Sequence, residues 1–200
     1  MHLNWKLREI DIKIVYYGPP LSGKTTNLEQ IHARMPKSKQ SQIVSLKTQE
    51  DRTLYFDFLP LEVGQIGNFK PRFNLYTVPG QSLYRATRRL ILEDVDGIVF
   101  VADSQQSRLR DNVRSFQEMK RHLHFLGYRW YDIPLILQYN KRDVPRPVQE
   151  RILEHYLNPD GTLPHYPSVA IKGAGVTETL KGIINLVLVE AQKQFLQVPT

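Results

Sequence analysis

The 200-residue sequence contains no cysteine, which excludes a disulfide framework and any thiolate-ligated metal site. No apolar run approaches the roughly 18–20 residues of a membrane span. The opening residues, Met-His-Leu-Asn-Trp-Lys, lack the apolar stretch of a secretory leader. His2 stands where N-myristoylation requires glycine, and the chain ends Gln197-Val198-Pro199-Thr200 with no prenylation box. Internal repeats, low-complexity tracts and linkers are also missing. No histidine falls in a motif that needs one: His122 and His124 sit two apart on an expected helix and face different ways, and His32, His155 and His165 are scattered. These absences point to one domain, 1–200, cytoplasmic and without a lipid anchor, with a chain long enough for a sizeable core.

The formal charge is +7, and part of it clusters at Arg85, Arg88 and Arg89, then Arg108, Arg110, Arg114, Lys120, Arg121 and Arg129. The aromatic stacking platforms of nucleic-acid readers are not evident, so no nucleic-acid partner is expected. The cluster is either a solvated face or a docking surface for an acidic protein.

Strand and helix patterns alternate, as in a mostly parallel sheet covered on both faces. Ile10–Tyr17 reads as the first strand, and Thr25–Met35 as a helix closed by Pro36. Thr53–Val63 and Arg72–Val78 are strands separated by Gly64 and Gly67-Asn68, the turn chemistry of an antiparallel hairpin. Ile98–Ala102 is a buried strand. Leu109, Val113, Phe116, Lys120, Leu123 and Leu126 follow at helical spacing. Pro134–Tyr139 is the next strand, Val148–Leu157 a helix, Ser168–Ile171 a short last strand. A closing amphipathic helix carries Leu180, Ile183, Ile184, Val187, Leu188, Ala191 and Phe195.

Gly18-Pro19-Pro20-Leu21-Ser22-Gly23-Lys24-Thr25 fits G-x-x-x-x-G-K-[ST] between a strand and a helix. Gly18 and Gly23 let the backbone curl so that N–H groups from Leu21, Ser22, Gly23, Lys24, Thr25 and Thr26 can face phosphate oxygens. Lys24 adds a point charge for the β- and γ-phosphates, and Thr25 offers a hydroxyl to Mg²⁺. Pro19 and Pro20 have no N–H to contribute. Asn140-Lys141-Arg142-Asp143 follows the Pro134–Tyr139 strand, where a loop faces the ligand crevice. The Asp143 carboxylate can accept from the two adjacent N–H donors that guanine offers and adenine does not. Together the loops specify a guanine nucleotide.

Pro79-Gly80-Gln81 completes a resemblance to the Ras-like small GTPases along nearly the whole chain, an α/β P-loop NTPase fold with an antiparallel edge. Thr77-Val78-Pro79-Gly80-Gln81 and the Pro-Pro of the phosphate loop are most similar to the bacterial gliding-motility (MglA-type) GTPases. The resemblance implies GTP and GDP as ligands, with Mg²⁺. It implies that Gly80 contacts the γ-phosphate, that Gln81 orients the attacking water, and that Ala170 offers an N–H to the guanine O6. It implies Thr53 as a switch ligand of Mg²⁺ and Arg52 as an arginine supplied in cis to the transition state. It also implies switch loops at 36–53 and 77–92 that bind effectors, and a roadblock-fold activator of the MglB type, in cell polarity or motility. Thr77 replaces the Asp usual in the wider family. Asp57, interrupting Tyr55-Phe56-Asp57-Phe58-Leu59, is the candidate replacement carboxylate; its alternative is an outward-facing strand residue. The rival readings are a P-loop ATPase or kinase and a GTP-binding scaffold without hydrolysis.

Overall fold

Val, Ile and Tyr at alternate positions bury both faces of one strand, and the sheet is built outward from it. The structure is a computed structural model that describes residues 1–4, 6, 8–35, 44–47, 53–62, 69–79 and 85–196, with backbone alone at 2–4, 44–47, 53–58, 62, 85 and 194–196. In chain order the elements are β1 (His2–Asn4), β2 (Glu9–Tyr17), α1 (Lys24–Arg34), β3 (Val44–Lys47), β4 (Thr53–Glu62), β5 (Lys70–Thr77), α2 (Arg85–Leu92), β6 (Gly97–Asp103), α3 (Leu109–Phe125), β7 (Leu135–Asn140), α4 (Glu150–Leu157), β8 (His165–Pro167) and α5 (Val176–Leu196). Among the described residues one eight-stranded sheet runs β3-β4-β5-β2-β6-β7-β8, and β1 pairs with β2 beside this path. The block β5-β2-β6-β7-β8 is parallel. The β4–β5 pair is antiparallel, as the glycine-containing turn predicts, and β3 adds a second antiparallel pair with β4.

Each face carries its own core. Ile12, Ile14 and Tyr16 of β2 pack with Leu28 and Ile31 of α1 and Ile183 and Val187 of α5. Val15 and Tyr17 pack on the other side with Ile91 and Leu92 of α2, Phe116 and Met119 of α3 and Leu153 of α4. Fully burying each such side chain stabilises the fold by about 1.5–3 kcal/mol.

Three expectations change. The last strand is not Ser168–Ile171: β8 is His165–Pro167, and Ala170–Lys172 is a 3₁₀ turn. The reason lies in β7, whose Asn140 captures the Ser168 hydroxyl and the Ala170 N–H and turns the chain away from the sheet. The stretch 77–92 is not all loop, because α2 occupies Arg85–Leu92 with Ile91 and Leu92 facing the core. β3 lies inside the stretch 36–53 and extends the antiparallel edge.

The arginine cluster is not one surface. Arg88 is buried; it pairs with Glu118 of α3 at 2.8 Å and donates to the Pro79 carbonyl at 3.3 Å. One turn further along α3, His122 Nδ1 lies 3.3 Å from the Tyr17 hydroxyl. Burial holds the His122 pKa below its ordinary value; Arg88, Arg89 and Arg121 push the same way and Glu118 opposes them. Burial raises the Tyr17 pKa, so its hydroxyl stays protonated beside the ring. A histidine lowered by folding binds fewer protons in the native state. Its contribution is therefore complete above its unfolded pKa of about 6.5 and is lost as the pH falls below that. Thermal midpoints in saturating GDP will drop between pH 7 and pH 5, and His122→Gln will flatten that drop.

Candidate functional site

In the parallel block every strand ends on the same side. Tyr17, Thr77, Asp103, Asn140 and Pro167 close β2, β5, β6, β7 and β8 there, so five loops meet outside the carboxyl ends, where α/β sheets bind ligands.

The phosphate loop leaves β2 and enters α1. A Cβ on Gly18 would lie 2.3 Å from the Val101 carbonyl of β6, so only glycine permits this approach. Gly23, at φ 100°, is the N-cap of α1, and a Cβ there would meet Asn140 Nδ2 at 2.2 Å. Leu21 is also left-handed at φ 62°, a conformation that costs a non-glycine residue about 1–3 kcal/mol. Lys24 is buried and lies across the loop, its Nζ donating to the Gly18 carbonyl at 3.1 Å and the Pro19 carbonyl at 2.7 Å. Pro20 accepts 2.8 Å from an Arg108 guanidinium N–H, and Asp111 steadies the same side chain at 2.7 Å. The two prolines thus serve the loop as acceptors where they cannot be donors. Buried Ser22 Oγ has no hydrogen-bond partner among the described residues. A phosphate oxygen fits that requirement, with the α1 N-terminus beside it.

The second and third loops join the first through one side chain. Asn140 Nδ2 donates to the Ser22 carbonyl at 2.7 Å, while its Oδ1 accepts from Ser168 Oγ at 3.1 Å and the Ala170 N–H at 2.8 Å. Lys141, left-handed at φ 63°, reaches back to Asp103 at 2.7 Å. Asp103 is fully buried and also accepts from the Gln105 N–H at 3.0 Å. Asp143 and Lys172 pair at 3.1 Å on the rim.

The structure therefore brings together Gly18, Leu21, Ser22, Gly23, Lys24, Thr25, Thr26, Asn140, Lys141, Asp143 and Ala170. Arg52, Gly80 and Gln81 lie outside the described residues. Thr53 pairs with Lys47, and Asp57 with Ser45. In the β4–β5 ladder Phe58 is opposite Tyr76, so the next step places Asp57 at the register position of buried Thr77. Sequence reading missed Asp103 and placed Arg108 only in the basic cluster, not against the phosphate loop. The signal for the first was a carboxylate closing a wholly apolar strand.

Residues 2–187 match the ADP-ribosylation factor family. The chain belongs to that family. It is 49% identical over 191 residues to the "Mutual gliding-motility protein MglA" of Myxococcus xanthus, which covers 96% of this chain and 97% of that one. It is 28% identical over 142 residues to an ADP-ribosylation factor-like protein 6 of Caenorhabditis elegans, covering 68% of this chain and 63% of that one. With the Caenorhabditis briggsae counterpart the identity is 26% over 178 residues, or 86% and 84% of the two chains.

As an ADP-ribosylation factor-type small GTPase the protein is a switch that binds GTP and GDP and hydrolyses GTP. Membership decides against the ATPase, the kinase and the non-hydrolysing scaffold. No helix among the described residues is long and apolar enough to cross a membrane. Those residues also hold no group of three or more His, Cys, Asp or Glu side chains suited to a metal.

Proposed function

We propose that this GTPase is a Mg²⁺-dependent switch in cell polarity or motility, activated by a roadblock-fold partner of the MglB type. The observation that carries this reading is the 49% identity to a gliding-motility protein, spread over 96% of the chain and spanning all three site loops. Lys24 and the N–H groups from Leu21 to Thr26 would hold the phosphates, with Gly80 at the γ-phosphate. Asn140, Lys141 and Asp143 would hold guanine. The Ala170 N–H is shared with Asn140, so an O6 contact there would be bifurcated. Thr25 and Thr53 would hold Mg²⁺, with Asp57 supplying charge that Thr77 does not; the ion would neutralise charge on the phosphates. Gln81 and Arg52 would be the catalytic residues, and effectors would read 36–53 together with the segment leading into α2.

Single-turnover GTP hydrolysis, with and without a purified roadblock-fold protein, tests this. The partner is expected to bind the GTP form preferentially and accelerate the wild type by at least about 10-fold, with no acceleration of Gln81→Ala. Absence of a GTP-dependent complex would remove the partner, and full activity of Gln81→Ala would remove that residue from the mechanism.

A further inference from the structure

Three polar side chains, Asn27 of α1, Gln138 of β7 and Thr179 of α5, are completely buried in the layer between the sheet and the α1–α5 face. Polar groups in such a layer are destabilising unless every donor is used, and here every donor is. Asn27 Nδ2 donates to the Gly23 carbonyl at 2.9 Å and to Gln138 Oε1 at 2.8 Å. Gln138 Nε2 donates to Asn27 Oδ1 at 2.9 Å and to Thr179 Oγ1 at 3.0 Å. The Thr179 hydroxyl donates to the Gly175 carbonyl at 2.7 Å.

The chain of hydrogen bonds therefore starts on the last glycine of the phosphate loop and ends on the last glycine of the base loop. Its two ends match. Gly23 and Gly175 both have positive φ and stand immediately before helices α1 and α5. Each carbonyl accepts both the backbone N–H and the side chain of the residue four places on: Asn27 N at 3.0 Å, Thr179 N at 3.1 Å. This path is separate from Asn140, which touches both loops directly.

We propose that Asn27, Gln138 and Thr179 are positioning residues that couple the phosphate loop to the base loop, so that ordering one loop orders the other. None of the three belongs to a loop that holds the nucleotide, and their effect on binding is transmitted through the two glycine carbonyls. A rigid, fully satisfied network with one geometry is suited to that task, and a coupling of this kind typically amounts to 5–150-fold in affinity.

The test exploits the distance between the two ends. Thr179 touches the base-loop end, whereas on the nucleotide placement proposed above the β-phosphate that distinguishes GDP from GMP is bound at the other. Dissociation constants for GDP and GMP are measured by competition against a fluorescent GDP on the full chain. Thr179→Val is expected to lower the GDP-over-GMP preference by about 5- to 10-fold. Thr179→Ser, which keeps the hydroxyl, retains the wild-type ratio. The triple variant Asn27→Leu/Gln138→Leu/Thr179→Val removes the network without orphaning its members and shows the same lowered ratio. An unchanged ratio in Thr179→Val and in the triple variant overturns the proposal, even if both nucleotides bind more weakly. Failure of both variants to fold in saturating GDP overturns it too, since the network would then serve stability alone.

Discussion

Arg52→Ala will slow single-turnover GTP hydrolysis by at least about 10³-fold while leaving GTP affinity within a few-fold of wild type. Phosphoryl transfer develops charge on the equatorial oxygens and asks little covalent chemistry of the protein, so a guanidinium delivered to those oxygens acts on the transition state far more than on the bound ground state. The residue directly precedes Thr53, where β4 begins its pairing with Lys47 of β3. Arg52→Lys will recover little, because an ammonium cannot reproduce the planar fork. Equal losses of GTP affinity and turnover would give Arg52 a folding or binding role instead.

A second large effect is expected at Asn140. This side chain satisfies the Ser22 carbonyl, the Ser168 hydroxyl and the Ala170 N–H together, and it is 2% exposed. Asn140→Ala strips a partner from all three. At about 1 kcal/mol or more each the loss is about 3 kcal/mol, or about 10² in affinity. Fluorescent GDP will be released about 10²-fold faster. Asn140→Asp will fare no better: it keeps an acceptor for Ser168 and Ala170 but turns a carboxylate toward the Ser22 carbonyl. Release rates within a few-fold of wild type would show that the loops hold their shape without this bridge. Circular dichroism in saturating GDP separates site loss from unfolding.

The legible parts of this molecule were those with local chemistry. A glycine-bounded loop between strand and helix, an Asn-Lys-x-Asp after an apolar strand, and continuous apolar runs each announce themselves within a dozen residues. α2 was missed because Arg85-Ala86-Thr87-Arg88-Arg89 looks like exposed basic sequence. Only its packing shows that Arg88 points inward to Glu118. The short edge strand β3 alternates apolar and polar residues, but over only four positions inside a polar stretch, too few to set a strand apart from a loop. Asp103, Arg108 and the Asn27–Gln138–Thr179 chain depend on partners 38 to 111 residues away, and such pairings leave no periodic trace. Gln138 did leave a mark, as a polar residue inside the apolar strand Leu-Ile-Leu-Gln-Tyr-Asn, but a mark without a partner does not name its role.

The paired prolines of the phosphate loop have a consequence for the entropy of binding. Each fixes its own φ, and the Pro20 carbonyl is held by Arg108, the N-cap residue of α3. Much of the loop's freedom is thus removed when the chain folds, through a restricted unfolded state, rather than when a ligand arrives. An all-glycine loop would reach the same shape only by ordering itself around the phosphates. Here the shape is set by the covalent chain and by a neighbouring helix before the nucleotide comes.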